Sequence, residues 1–128
     1  SMDFFPTILA ATGHALCPHQ HIDGVDLTPV LKKSGGLSRD AIYWHYPHYN
    51  RHPENFPAGV IRANNWKLLQ EFETGKLSLY DLADDIGETK NLASRYPEKV
   101  KSLLIKLKSW QKDVGADPMR PNPEYKDK

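Results

Sequence analysis

The sequence predicts an α+β fold: a small four-stranded antiparallel sheet packed by one long C-terminal helix, with an N-terminal helical extension. Three observations lead there. Four β-forming runs crowd between Ala41 and Leu82, separated by spacers too short for the crossovers a parallel sheet needs. YPEKVKSLLIKLKSWQKDVG places Val100, Leu103, Leu104, Leu107, Trp110 and Val114 on one helical face. The opening DFFPTILAATG carries helix start and stop signals.

In order along the chain, Asp3 is placed to N-cap the first helix. Pro6 suits its first turn, Phe5, Ile8 and Leu9 make its apolar stripe, and Gly13 ends it. His14 to Leu37 reads as loop with one helical turn at Thr28–Lys33, closed by Ser34-Gly35-Gly36. The strands are expected at Ala41–Tyr46, Gly59–Ala63, the WKLLQEF run from Trp66, and LSLYDL. Asn64-Asn65 is a two-residue turn tolerant of positive φ. Trp66, Leu68 and Phe72 share one face. Pro97 and Glu98 suit the long helix's first turn and Gly115 its end. The tail DPMRPNPEYKDK is proline-rich and is expected to lie along the surface or hang loose. Residues 1–37 read as helix and linker, and 38–128 as the sheet-and-helix subdomain.

Composition narrows the function. The 128 residues suit one modest core, and 17 Lys and Arg against 16 Asp and Glu give no electrostatic reason to expect nucleic acid or an anionic membrane as partner. No apolar run reaches the roughly 20 residues that span a bilayer. The single cysteine, Cys17, excludes an internal disulfide. Ser1-Met2 reads as a cloning remnant, so the chain is expected to be a piece of a longer protein.

The ordered motifs resemble the C-terminal region of the sulfatase family, in the alkaline-phosphatase-like superfamily. DFFPTILAATG is similar to its D-x-x-P-T-[IL]-L-x-x-[AT]-G helix, and HIDGVDLTPVLKK to its D-G-x-[SD]-L-x-P-x-L segment. AIYWHYPHYN resembles a strand and loop of bacterial members. VIRANNWKLL resembles the A-[IV]-R-x-x-x-[WY]-K-L hairpin, and LYDLADDIGETKNLA the L-Y-[DN]-L-x-x-D-x-x-E-x-x-N-L-A block. The closing W…D…P…PNPEY also fits.

The resemblance implies a parent enzyme that hydrolyses sulfate esters, of a sulfated carbohydrate in one version. Its formylglycine nucleophile and Ca²⁺ would belong to a separate N-terminal catalytic domain, which this part packs against as it shapes the substrate pocket. No catalytic or metal-binding residue and no cofactor is expected here. The family's habit points to periplasm or secretion. In CPHQH, Pro18 stands one place after Cys17 and His21 stands where arginine is needed, so Cys17 fails the C/S-x-P-x-R pattern of the nucleophile and reads as a packed or loop thiol.

AIYWHYPHYNRHP concentrates the chemistry-bearing residues. His45, His48 and His52 are weighed as a zinc set and set aside: they lie on a strand and a proline-broken loop, and histidines at that spacing do not share a face as on a helix. A histidine base would need a nucleophile and an orienting acid nearby. Tyr43 to Tyr46 read chiefly as strand residues. The loop from Pro47 to Pro57 is long and polar, and in sulfatase-like folds this region can face the cleft. His48, Tyr49, Asn50 and Arg51, with His45 behind them, are the candidate substrate-binding residues: donors for hydroxyls, aromatic faces for sugar rings and a cation for an anionic group.

Arg62 is expected to pair with Asp81 or Glu88. Asp81, Asp84, Asp85 and Glu88 are expected to bond backbone N–H groups of a turn, and the helix lysines to face solvent. An apolar patch of Phe4, Phe5, Ile8, Leu9, Val25 and Leu27 is expected to face the missing domain, and in the isolated chain to pair two copies. A stand-alone carbohydrate- or anion-binding module and a phosphodiesterase or phosphonate-hydrolase subdomain are the alternatives.

Overall fold

A computed structural model describes residues 1–52, 55–120 and 122–124. The chain forms two compact units, Ser1–Asp40 and Ala41–Lys128.

In the first unit, α1 spans Phe4–Ala11 and a single turn, α2, spans Thr28–Leu31. Asp3 holds the N-cap position of α1 but its side chain does not cap, which corrects the expectation. Its carboxylate instead pairs with the Arg39 guanidinium and accepts the Val25 N–H at 2.9 Å. The Thr7 hydroxyl donates to the Asp3 carbonyl and accepts the Leu27 N–H at 2.9 Å. The D-x-x-P-T and D-G-x-D-L segments therefore hold each other. Gly24 is required between them: a Cβ there would stand 2.5 Å from the Met2 carbonyl oxygen. Gly13 adopts φ +74° where α1 ends, whereas after α2 the left-handed residue is Lys33, not either glycine of Gly35-Gly36. Phe4 and Ile8 are 66% and 60% exposed and Phe5 is exposed as well, while Leu9, Val25 and Leu27 are half-buried. The apolar patch is narrower than expected. Cys17 is a half-buried loop thiol.

In the second unit the order is β1 (Ile42–Tyr46), β2 (Ala58–Ala63), β3 (Trp66–Glu71), β4 (Leu77–Asp81) and α3 (Pro97–Asp113). The sheet is an antiparallel meander, β1-β2-β3-β4. Asn64 takes positive φ in the β2–β3 turn. The register aligns Tyr43, Ile61, Leu68 and Leu79 in one row across all four strands. Ile61, Leu68 and Leu79 are fully buried in one cluster with Leu103 and Leu107 of α3, and Tyr43 stacks on Trp110 with ring centroids 4.8 Å apart. Each such aliphatic side chain stabilises the fold by about 2 kcal/mol through burial. Val114, expected on the stripe, is exposed because it lies beyond the last helical turn.

The turn after β4 behaves as expected at Asp81 and Asp85. Asp81 accepts the Ala83 N–H, and Asp85 accepts those of Thr89 and Lys90, which hold its carboxyl below the usual range. Glu88 pairs with Lys67 at 2.6 Å, where Arg62 was expected: Arg62 and Lys67 are opposite one another in the register, and it is Lys67 that reaches the turn. Asn91 accepts the Leu79 N–H and Leu92 donates to the Leu79 carbonyl, so the outer edge of β4 is paired at Leu79. Two helix lysines depart from a purely solvated role, with Lys99 over Trp66 and Lys108 over Phe72.

Two outcomes are expected. Leu107→Ala empties a fully buried position and should cost about 3 kcal/mol, read as a lower denaturant midpoint with the slope unchanged. The Arg39 guanidinium, helped by the Val25 N–H and opposed by partial burial, holds the Asp3 carboxyl below its ordinary value. A depressed folded-state pKa stabilises fully above the unfolded value, and that stabilisation is lost as pH falls through the folded one. The Val25 amide proton shift should therefore titrate with a midpoint below the ordinary aspartate range. A midpoint at or above it would refute the pairing.

Candidate functional site: the β1–β2 loop and the C-terminal tail

Strand alternation decides which side chains can meet. Tyr43 faces α3, so His45, two residues on, faces it too. His45 is aligned with Gly59, and Gly59 with Gln70, one step out from the buried row. Gly59 leaves this step open. A Cβ there would come within 3.0 Å of Gln111 Nε2 and 3.1 Å of the Phe72 ring. Through that gap Gln111, one helical turn beyond Leu107, donates to His45 Nδ1 at 3.0 Å. The other ring nitrogen lies 2.7 Å from the Asp117 carbonyl oxygen, which can only accept. His45 is thus held as the Nε2–H tautomer, its ring tilted against Phe72 at 5.1 Å.

Both nitrogens of His45 are taken up inside the protein. The ring thereby links β1 to both α3 and the tail.

The rest of the expected set diverges. His48 is exposed, with its ring edge-on to Tyr46. Tyr49 is 57% exposed, and Arg51 is exposed. Asn50 is exposed but partly committed to the loop: its side-chain oxygen accepts the His52 N–H, and its own N–H donates to Asn55 Oδ1. Pro53 and Glu54, within the same loop, lie outside the described residues. The structure brings His45 together with Gln111, Phe72 and Asp117, and sets His48 beside the tail. It does not gather the five candidates around one point. Among the described residues no three of His, Cys, Asp and Glu converge as a metal site, and no helix is long and apolar enough to cross a membrane.

Two concavities flank this loop. One, of about 240 Å³, is lined by His45, Gln70, Phe72, Lys108, Gln111 and the tail, and next to it the Gln70 side-chain oxygen is buried without a protein donor. The other, of about 430 Å³, lies between Pro47-His48 and Asp117–Arg120. Sequence reading missed Gln111 and Asp117 as the partners of His45. A signal for Gln111 was present, since a polar residue continues the apolar stripe four places after Leu107. Asp117 acts through its backbone carbonyl, which no side-chain pattern reveals.

The family described as N-sulphoglucosamine sulphohydrolase, C-terminal, matches residues 1–114, which include every helix and strand of both units. The chain belongs to that family. A sulfatase of Formosa agariphila is 31% identical over 124 residues, covering 86% of this chain and 22% of the relative. Arylsulfatase K of Xenopus laevis is 27% identical over 115 residues, with 84% and 21% covered. Among solved structures, BT4656 in complex with its substrate D-glucosamine-2-N,6-O-disulfate superposes with a TM-score of 0.72 at 29% identity, covering 94% of this chain and 25% of that one. The sulfatase C-terminal chain thus spans about a fifth to a quarter of the length of these relatives.

The tautomer is directly measurable. Ring nitrogen shifts of neutral His45 should show Nε2 protonated and Nδ1 bare. The reverse assignment would remove the bond to Asp117.

Proposed function

We propose that this chain is the C-terminal subdomain of a sulfuric ester hydrolase acting on a sulfated carbohydrate, and that it forms one wall of the substrate pocket. The family match across residues 1–114 carries this reading. A neighbour at 29% identity whose substrate is a disulfated glucosamine supports the carbohydrate class. The residues present suit recognition. His48 and Tyr49 offer hydrogen-bond donors and aromatic faces to a sugar, and Arg51 offers a planar fork for a sulfate or carboxylate.

Formylglycine and Ca²⁺, implied by the family, belong in this reading to the N-terminal catalytic part. The residues here do not fit either group: Cys17 lacks the flanking arginine, and no three of His, Cys, Asp and Glu converge among the described residues. What this chain does is bind and orient. The exposed Phe4, Phe5 and Ile8 of α1 supply an apolar surface for the catalytic part to cover, and in the isolated chain the same surface would pair two copies.

The test compares the 128-residue chain with the longer protein that contains it. Steady hydrolysis of a sulfated sugar is expected from the longer protein and none from the chain alone. Arg51→Ala and His48→Ala in the longer protein should each lower kcat/KM about tenfold, the scale of one lost charge-assisted contact. Turnover of phosphodiesters in place of sulfate esters would overturn the assignment. Submicromolar sugar binding by the isolated chain would instead favour a stand-alone module.

A further inference from the structure

The C-terminal tail enters the site by an unusual route. Asp117 is fixed by a hydrogen bond from a strand residue 72 positions earlier, His45, which is itself oriented by Gln111 of α3. Pro118 follows and stiffens the backbone. Met119 is half-buried and borders both concavities, a second point of attachment. Arg120 comes next, on the wall of the cleft that His48 lines from the other side. Among the described residues no ion pair engages Arg120. The cleft is thus lined by an arginine outside the ion pairs of the described residues, together with a histidine.

Volume separates the two concavities. About 430 Å³ lies within the roughly 300–1,000 Å³ of small-ligand sites, whereas about 240 Å³ falls below it. Charge sets the ligand class. One carboxylate, Asp117, stands against Arg120 and His48 along the lining, so the cleft has no strong overall field. Recognition then depends on local geometry: two parallel N–H donors of a guanidinium match two oxygens of a sulfate or carboxylate.

We propose that Arg120 is a specificity-determining residue that takes an anionic substituent of the sugar, and that His45 is a positioning residue that holds it in the cleft by pinning the tail at Asp117. This deepens the reading above and rests on it for the identity of the ligand.

The test titrates the 128-residue chain with D-glucosamine-2-N,6-O-disulfate, the substrate of the solved neighbour, and with N-acetylglucosamine at matched ionic strength, following backbone amide shifts. Saturable shifts are expected at His48, Met119 and Arg120 with the disulfate and not with the unsulfated sugar. Arg120→Ala should weaken binding about tenfold, and Arg120→Lys, which keeps charge without the fork, should recover only part of it. His45→Ala should weaken binding while shifts of the buried row stay in place. Should that variant unfold, Gln111→Ala, which removes the orienting donor, should weaken binding in its stead. Unchanged affinity in Arg120→Ala, or shifts confined to other residues, overturns the role of Arg120. Unchanged affinity in both His45→Ala and Gln111→Ala overturns the positioning role. Turnover by the longer protein is read separately. Sulfate-ester hydrolysis with no tail response sinks only this inference, and a tail response without hydrolysis sinks only the assigned reaction.

Discussion

The buried row Tyr43, Ile61, Leu68 and Leu79, pressed against Leu103 and Leu107, is the constraint from which the second unit follows. Because side chains alternate along a strand, fixing this row fixes which face of every strand meets the helix. A slip of one residue would turn Ile61 and Leu68 to solvent and bring Arg62 and Lys67 inward, at a cost no surface contact could offset. The stacked Tyr43–Trp110 pair continues the contact toward the helix C-terminus. Beyond that point the apolar residues run out and polar ones take their places.

That handover makes the attachment point of the tail. One step out from the row, Gly59 removes a side chain, Gln111 replaces an aliphatic residue on the helix, and His45 replaces one on the strand. Three polar or small residues at what would be core positions form a relay from helix to strand to tail. The same row that stabilises the sheet also dictates that His45 looks inward. An inward histidine with both nitrogens bonded is poorly placed to touch a sugar. It is well placed to decide where a neighbouring segment lies.

The fold was legible because its signals were local and redundant. The meander showed in short spacers, the Asn64 turn in its residue type, and α3 in a five-turn apolar stripe. Side-chain partners were less so. Asp3 looked like a cap because caps are read from neighbours a few residues away, yet its partners Val25 and Arg39 lie 22 and 36 residues on. Arg62 and Lys67 are equivalent in the sequence and distinguishable only once the register sets one nearer the turn that carries Glu88. The aromatic and histidine-rich stretch was recognisable as chemistry-bearing. Its division into an inward His45 and an outward His48 was obscured because Pro47 interrupts the alternation between them. The attachment of the tail was invisible because it depends on a backbone carbonyl and a bond spanning 72 residues.

This division of labour separates a packed core from its exposed attachments. Rigid positions here are given to aliphatic packing and to the doubly bonded His45. Groups that recognise a polyhydroxylated anion tolerate exposure, because a guanidinium fork or a tyrosine face is itself preorganised and needs only its stem fixed. The β1–β2 loop is fixed by Asn50–Asn55 and Asn50–His52 contacts, and the tail by His45 and Met119. Each attachment is a hydrogen bond or a partly buried side chain, individually worth about 1 kcal/mol. Neither attachment uses a residue of the buried row.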